Sequence, residues 1–587
     1  MQKLIWQVIK DSKMEKVKGF CKNYYLISLV ILVILGFYLR FTGIFKPEGL
    51  WTDEMVSYNF AHQSFPFGIL DILYHKEFQP PFWYLFLHIW MKVFGEGDFW
   101  LRFSSLIFGV SLIPVMYLVG KEYSSRLTGL IAAIITAINS MLIYYSQEVR
   151  LYSMLVLFGA LSILFLIKIK NNPNKLNYCG YILSNTALIY TGTIGIMFLL
   201  YEVVLFSIYL LFKDTKRLKA FILAQLITII LYLPYLTTAI THINQAVSSD
   251  TSPFHWYKYN PADIHTLFLR WFTPAFNYAS INVPHFAFGG ISEINIAVFI
   301  AIPMIFYLIG IFKSASKNSF APVLFFTAVL LILTQIILAK NGMFPIRSRY
   351  TILAMPIFIL LTAEFLSSIK SRLLLNSLIA LFITVNIGFI LMNPMSAPKL
   401  SRDDPYKLVS DVLEKFPLGK KDILAMVYNG KLIYKYYDKT SLLPIDVDAI
   451  TIKNPVMKEI FRNEELEKLN KNNLYEGFAP YIKSSEAPEL FRKYFKKTIY
   501  DRLEEGRYLA IVLSLQYFYY DYQLKQILSS EEKYREFDLF PLFYSRLNHY
   551  LLNEGQTHLK PVLDITSGPW EVVIFQKKSG VTYERES

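Results

Sequence analysis

Four groups of polar side chains interrupt an otherwise apolar sequence, and their residue types could carry chemistry. The first is Asp53-Glu54, behind Trp51-Thr52 and about a dozen residues after the first long apolar run. Two adjacent carboxylates near lipid are costly unless paired, hydrated or used. A carboxylate at an open cleft can take the proton of an attacking hydroxyl, or orient it. The same pair in a solvated loop would do neither. The second group is Gln79-Pro80-Pro81, followed after an aromatic stretch by Glu96, Asp98 and Arg102. The third is Gln147-Glu148-Val149-Arg150-Leu151-Tyr152, and the fourth is Arg347-Ser348-Arg349-Tyr350. A single arginine such as Arg150 could simply snorkel to the membrane surface. Several together suit an anion such as a lipid phosphate, which guanidinium binds in a planar, bidentate fashion.

The elements that must position these groups are membrane helices. Of 587 residues, 54% are hydrophobic, 16% aromatic and only 18% charged, where a soluble domain carries roughly a quarter charged. Apolar runs cover about 24–40, 101–120, 127–144, 150–169, 181–212, 218–238, 292–312, 320–339, 350–369 and 373–392. The run 181–212 is too long for one crossing of about 20 residues. Splitting it near Thr191-Gly192-Thr193 gives about eleven spans. The lysine-rich N-terminus lacks a small-residue cleavage signature and precedes further spans, so the first run reads as a retained helix.

The formal charge of +14 does not point to nucleic acid, because the basic residues form no stripe. Many occupy short linkers: Lys121 to Arg126, Lys168 to Lys175, Lys213 to Lys219, Lys313 to Lys317, and Lys370 to Arg372. With the N-terminus in the cytosol, the positive-inside rule puts all of them there. The loops 41–100 and 239–291, the turns near 145–149 and 340–349, and everything after 392 then face outward. All four polar groups fall on that outer face. The expected location is a plasma membrane, multi-pass, with the C-terminal domain extracytosolic. Two cysteines, Cys21 and Cys179, on the cytosolic side offer neither a disulfide framework nor a cysteine metal site.

Within the first outer loop, Phe82 to Phe94 is aromatic and apolar but too short to cross. It reads as an interfacial helix whose start Pro80-Pro81 pre-sets, and 55–77 as weakly amphipathic structure in the same interface. From about 396 the chain becomes charged and punctuated. Asp404 to Lys415 and Pro541 to Leu552 have helical spacing. Asp422 to Tyr428, Tyr508 to Ser514 and Trp570 to Phe575 read as strands. The expected architecture is a transmembrane domain over 1–395 followed by an α/β or α+β domain over 396–587. Tyr434, Tyr436, Tyr437, Tyr517, Tyr519, Tyr520 and Tyr522 would there pack a core or line a sugar-binding surface.

Taken in order, these features resemble a family. Trp51–Glu54, Gln79–Pro81, Phe94–Arg102, Ser146–Tyr152 and Arg349-Tyr350 look like the motifs of bacterial relatives of the protein O-mannosyltransferase superfamily. That group includes the lipid A aminoarabinose transferases and related lipopolysaccharide-core glycosyltransferases. The resemblance covers about 24–165 well and 166–392 loosely. Gln79 stands where many members have His, and Tyr190-Thr191-Gly192 where many carry an aromatic-His pair.

The resemblance implies a GT-C fold, a polyprenyl-phosphate-linked sugar donor and an inverting transfer outside the cytosol to a glycan, lipid or protein acceptor. Asp53 would be the base or acceptor-orienting carboxylate, with Glu54 beside it and Glu148 as the acid of the next outer junction. Arg150, Arg349, Arg347 and Arg102 would hold the donor phosphate, and Gln79, Pro80, Tyr152 and Tyr350 would line the cavity. A divalent cation could share the charge neutralisation, though nothing in the sequence requires one. Two other classes compete. A lipid or glycan transporter would place ionisable groups at mid-membrane, where Glu202 is the main candidate, and would show internal symmetry, of which there is none. A binding protein would use the tail to recognise envelope glycan.

Overall fold

In the computed structural model the described residues are 24–45, 50, 52–76, 79–247, 309, 320–341 and 347–392. In the C-terminal part they are 422–426, 444–446, 492, 495–514, 552, 554–567 and 570–577. Packing divides the chain into two units, residues 1–45 with 56–397, and residues 46–55 with 398–587.

The first unit is helical. Seven segments among the described residues are long and apolar enough to cross a membrane. They are α1 (Tyr24–Ile44), α5 (Asp98–Tyr123), α8 (Tyr152–Asn171), α10 (Thr193–Lys213), the first 28 residues of α11 (Thr215–Val247), α12 (Ala321–Lys340), and a 3-10 turn (Ser348–Ala354) running into α13 (Met355–Ser367). The other helices described over this stretch of chain are α2 (Thr52–Ala61), whose first turn falls in the second unit, α3 (Phe67–Lys76), α4 (Phe82–Phe94), α6 (Arg126–Ile138), α7 (Ser140–Tyr145), α9 (Lys175–Thr191) and α14 (Arg372–Met392). The expected span 292–312 lies outside the described residues, apart from Ile309.

The long run 181–212 breaks where expected, Gly192 serving as the C-cap of α9 and the N-cap of α10. The run 127–144 is not one helix. Asn139 takes an extended backbone and accepts the Leu142 amide on its side chain at 3.0 Å, ending α6 and capping α7. Asparagine competes for backbone partners in this way and is favoured at N-caps. α4 spans the residues expected of it, Phe82 to Phe94. Pro81 is its N-cap, and Trp83, Tyr84, Leu87, Trp90 and Met91 are buried. His88 Nδ1 lies 2.7 Å from the Ala61 carbonyl and ties α4 to α2.

The second unit contains a five-stranded mixed sheet of order β2-β1-β3-β5-β4. Its strands are β1 (Ile423–Met426), β2 (Pro444–Asp446), β3 (Tyr508–Ser514), β4 (Lys560–Ser567) and β5 (Trp570–Gln576). β1 pairs parallel with β2 and β3, and β5 pairs antiparallel with β3 and β4. Leu509, Ala510 and Ile511 at the centre are fully buried. The two edge strands were not expected. β2 is three residues long and begins with proline, and β4 carries Pro561 at a register shift and Asp564 inside. Both are features confined to edges, where a missing amide donor is tolerated. The expected helices at 404–415 and 541–552 and the seven tail tyrosines lie outside the described residues, save Leu552.

Candidate functional site

The turn between α7 and α8 is held by its own backbone and by Ser153. The Arg150 amide donates to the Glu148 carbonyl at 2.7 Å, a three-residue turn that leaves both side chains on a tight bend. Ser153 at the start of α8 donates to the Tyr145 carbonyl at 2.9 Å and closes the loop from behind. Gln147 and Glu148 are buried, and Arg150 is only 8% exposed. The Arg150 guanidinium donates to the Ser57 hydroxyl at 3.3 Å and lies 5.9 Å from the Tyr152 ring centre. Its carbonyl accepts from Ser105 on α5 at 3.3 Å.

A buried arginine that the sequence reading passed over fixes this turn to the first span. Arg40, fully buried, donates to the Gly36 and Ala137 carbonyls at 3.0 Å, to the Thr136 carbonyl at 3.1 Å and to Ser146 Oγ at 3.2 Å. Thr136 and Ala137 belong to the last turn of α6, whose carbonyls lack helical partners because the helix stops at Asn139. Gln147 adds a bond from Nε2 to the Leu39 carbonyl at 3.1 Å. The available signal was an arginine near the end of an apolar run, and snorkelling explains most such residues.

The Arg347–Tyr350 turn packs against the same region. Tyr145 stacks edge-on against Tyr152 with centroids 5.0 Å apart, and its hydroxyl is 3.5 Å from Ser348 Oγ. Arg349 lies 5.3 Å from the Tyr350 ring centre, and the Tyr350 amide donates to the Arg347 carbonyl at 3.0 Å. Ser348 and Tyr350 are buried, whereas Arg347 and Arg349 are half-buried. Gly159 permits the close approach, since a Cβ there would stand 2.6 Å from Leu353. Tyr145 thus links Tyr152, close to Arg150 in the chain's first turn, to Ser348, the neighbour of Arg349 in a turn about two hundred residues on.

Gln79 and Pro80 reach this neighbourhood from the other side. Gln79 Oε1 accepts from Thr193 Oγ1 at 3.4 Å, and its carbonyl accepts from the Tyr235 hydroxyl at 3.4 Å. A Cβ at Gly192 would lie 3.3 Å from Leu151 and 3.6 Å from Gln79 Oε1. Gln79 therefore sits across Gly192 from the Arg150 turn, and Pro80 is buried behind it. Arg102, buried in α5, donates to the Ile44 carbonyl at 3.4 Å, one turn before Ser105.

Asp53 and Glu54 occupy the first turn of α2, where the helix dipole favours acids. Asp53 is half-buried and Glu54 fully buried. Along this helix Ser57, the acceptor of Arg150, follows Asp53 by one turn. At the next residue, Tyr58 donates to Glu96 at 2.8 Å, with His62 3.4 Å from the same carboxylate. Burial, then the bond to Glu96 and its charge, push the Tyr58 phenol well above its ordinary value, so it stays a donor. Among the described residues no group of three or more His, Cys, Asp or Glu side chains could hold a metal ion.

Residues 78–239 match the family model described as dolichyl-phosphate-mannose-protein mannosyltransferase. No curated protein sequence matches the chain significantly. Among solved structures, the chain is similar to ArnT from Cupriavidus metallidurans in the apo state, with TM-score 0.52 and 10% identity over 94% of this chain and 98% of that one. It is equally similar to ArnT bound to undecaprenyl phosphate, over 95% and 99% of the two chains, again with TM-score 0.52 and 10% identity. The Archaeoglobus fulgidus oligosaccharyltransferase tethered with an acceptor peptide gives TM-score 0.51 and 14% identity over 96% and 75%. The fold shared with these proteins is GT-C.

Proposed function

We propose that this chain, a membrane glycosyltransferase of the GT-C fold, moves a sugar from a polyprenyl-phosphate donor to a hydroxyl of an envelope glycan, lipid or protein. The observation that carries the reading is the meeting of the Arg150 and Arg349 turns through Tyr145 and Ser348. Two guanidiniums on adjoining turns suit a phosphate, and a similar fold has been solved with undecaprenyl phosphate bound.

In the transfer, the Asp53 carboxylate takes the proton of the acceptor hydroxyl while the acceptor oxygen bonds to C1 of the sugar from the face opposite the phosphate. The bond from C1 to the phosphate oxygen breaks, and its electron pair leaves with polyprenyl phosphate. The anomeric configuration inverts. The leaving group is already a stable anion, so it needs neutralisation more than protonation. Arg150 and Arg349 supply it, with Arg347 and Arg102 contributing to the same positive field. Glu54 and Glu148 hold the acceptor side, and Gln79, Pro80, Tyr152 and Tyr350 line the sugar. The prenyl chain stays in lipid. Basic linkers on one side support an orientation with the N-terminus cytosolic, and the four polar groups and the C-terminal domain on the extracytosolic face of a plasma membrane.

The test offers purified protein in lipid vesicles a panel of polyprenyl-phosphate sugars, with native membrane extract as acceptor source. Mass spectrometry follows donor loss and polyprenyl phosphate release. Turnover of one donor that Asp53→Asn abolishes supports the reading. Full turnover by a folded Asp53→Asn chain refutes the base, and indifference to every donor refutes the activity.

A further inference from the structure

Away from the outer face, four helices meet around one acid. Glu202 stands halfway along α10 and is fully buried. Ser162 Oγ of α8 lies 2.8 Å from Glu202 Oε1 and 2.7 Å from Asn185 Oδ1 of α9. The Tyr181 hydroxyl of α9 lies 2.8 Å from the same Oε1. Gln225 of α11 is buried and lies beside the Tyr181 hydroxyl. No lysine, arginine or histidine is bonded to or ion-paired with Glu202 among the described residues. The basic residues of these helices, Lys168, Lys170, Lys175, Lys213, Lys216, Arg217 and Lys219, sit close to the helix ends.

The oxygens can be counted. Three oxygen-to-oxygen contacts need three hydrogens between them, and the two hydroxyls supply two. A metal ion does not fit the spacing. Even Mg²⁺, which binds oxygen at about 2.0–2.1 Å, holds neighbouring ligands roughly 3 Å apart. Contacts of 2.7–2.8 Å are those of shared hydrogens. The second carboxyl oxygen, Oε2, is buried without a hydrogen-bond partner, which a neutral carbonyl oxygen tolerates far better than half of a carboxylate. Turning the Asn185 amide to donate to Ser162 balances the hydrogens too, but it leaves a full negative charge at mid-bundle with only two hydroxyls beside it.

We infer that Glu202 is a proton-binding site, a neutral carboxylic acid that latches α8, α9 and α10 together at mid-membrane. Its acid hydrogen, on Oε1, donates to Ser162, Ser162 donates to Asn185 Oδ1, and Tyr181 donates to Glu202. The latch holds the helices whose outer ends carry Tyr152 and Thr193. It is a fixed proton, not a relay, and this removes the main sequence argument for a transporter.

The experiment is isotope-edited infrared spectroscopy of the full chain in lipid, carrying ¹³C in the glutamate carboxyl groups, with Glu202→Gln and Ser162→Ala. A protonated-acid carbonyl band at neutral pH should be present in the wild type, absent from Glu202→Gln and shifted in Ser162→Ala. The band should not respond to exchange of sodium for potassium or choline. Glu202→Gln, a neutral isostere, should melt with the wild type. The inference is overturned if only carboxylate bands differ between wild type and Glu202→Gln. It is also overturned if Glu202→Gln melts well below wild type or fails to fold, or if sodium raises the wild-type melting temperature and not that of the variant.

Discussion

Removing the Arg40 guanidinium tests how the candidate phosphate turn is held. Arg40→Met keeps a long apolar side chain in the same space and deletes four hydrogen bonds of 3.0–3.2 Å, to Gly36, Thr136, Ala137 and Ser146. Interhelical hydrogen bonds in membrane proteins contribute about 0.6 kcal/mol on average and at most about 1.7. A charged donor lies toward the upper part of that range. Two of the acceptors are end-of-helix carbonyls that Asn139 leaves without a helical partner, so their loss is not made good locally. The sum is about 2–4 kcal/mol, reduced by whatever desolvation the buried cation itself costs. Thermal unfolding in lipid nanodiscs should show Arg40→Met melting well below the wild type. Arg40→Lys should recover only a minority of the loss, because one ammonium cannot reach acceptors on both α6 and the turn. Donor turnover should fall further than stability, since Ser146 is two residues from Glu148. If Arg40→Met melts and turns over like the wild type, Arg40 does not hold the turn and the argument fails.

Arg150→Gln should lower kcat for donor turnover by about 10²–10³, the usual effect of removing one preorganised donor to a developing anion, with KM changed much less; an equal rise in KM at constant kcat would mean ground-state binding alone. Arg349→Gln should act in the same direction, and the double variant should lose less than the product of the two, read in the same assay. Gly159→Leu should destabilise by about 1–3 kcal/mol, because even its Cβ meets Leu353 at 2.6 Å; a melting curve superimposed on wild type would contradict the packing. Tyr58, whose phenol is held above its ordinary range by burial and Glu96, makes a contribution that is complete below about pH 10 and lost as pH rises through its raised folded value. Tyr58→Phe should therefore flatten the alkaline limb of the stability curve, seen as a shrinking gap between the two proteins above that pH.

What could be read from sequence followed from strong local signals. Phe82 to Phe94 showed its length because prolines open it and the aromatic, apolar run stops at Phe94. The break at Gly192 showed because no single helix spans so far. The break at Asn139 stayed hidden, since one polar residue in an apolar run does not reveal that its side chain has captured a backbone amide. Arg40 stayed hidden because a lone arginine at a helix end has a bland explanation. Two of its four acceptors are the Thr136 and Ala137 carbonyls, 96 and 97 residues away, and carbonyls carry no sequence signature. The edge strands β2 and β4 escaped because edges tolerate the Pro and Asp that argue against a strand. The pairing of the Arg150 turn with Ser348–Tyr350 is tertiary and rests on Tyr145, one aromatic among many at the end of an apolar run.

The segment that opens with Ser348 and runs through α13 has 94% of its most apolar window buried, against 22% for α1 and 28% for α11. Its leucines and isoleucines face protein, so its position owes little to the bilayer. Changes in hydrophobic thickness act on the outer ring, which answers by tilting at a fraction of a kcal/mol per ångström. A thinner or thicker membrane would then move the donor headgroup up or down against an arginine turn that does not follow it. On the proposed role of Arg349 in holding the donor phosphate, turnover should then vary with acyl-chain length and peak at one bilayer thickness.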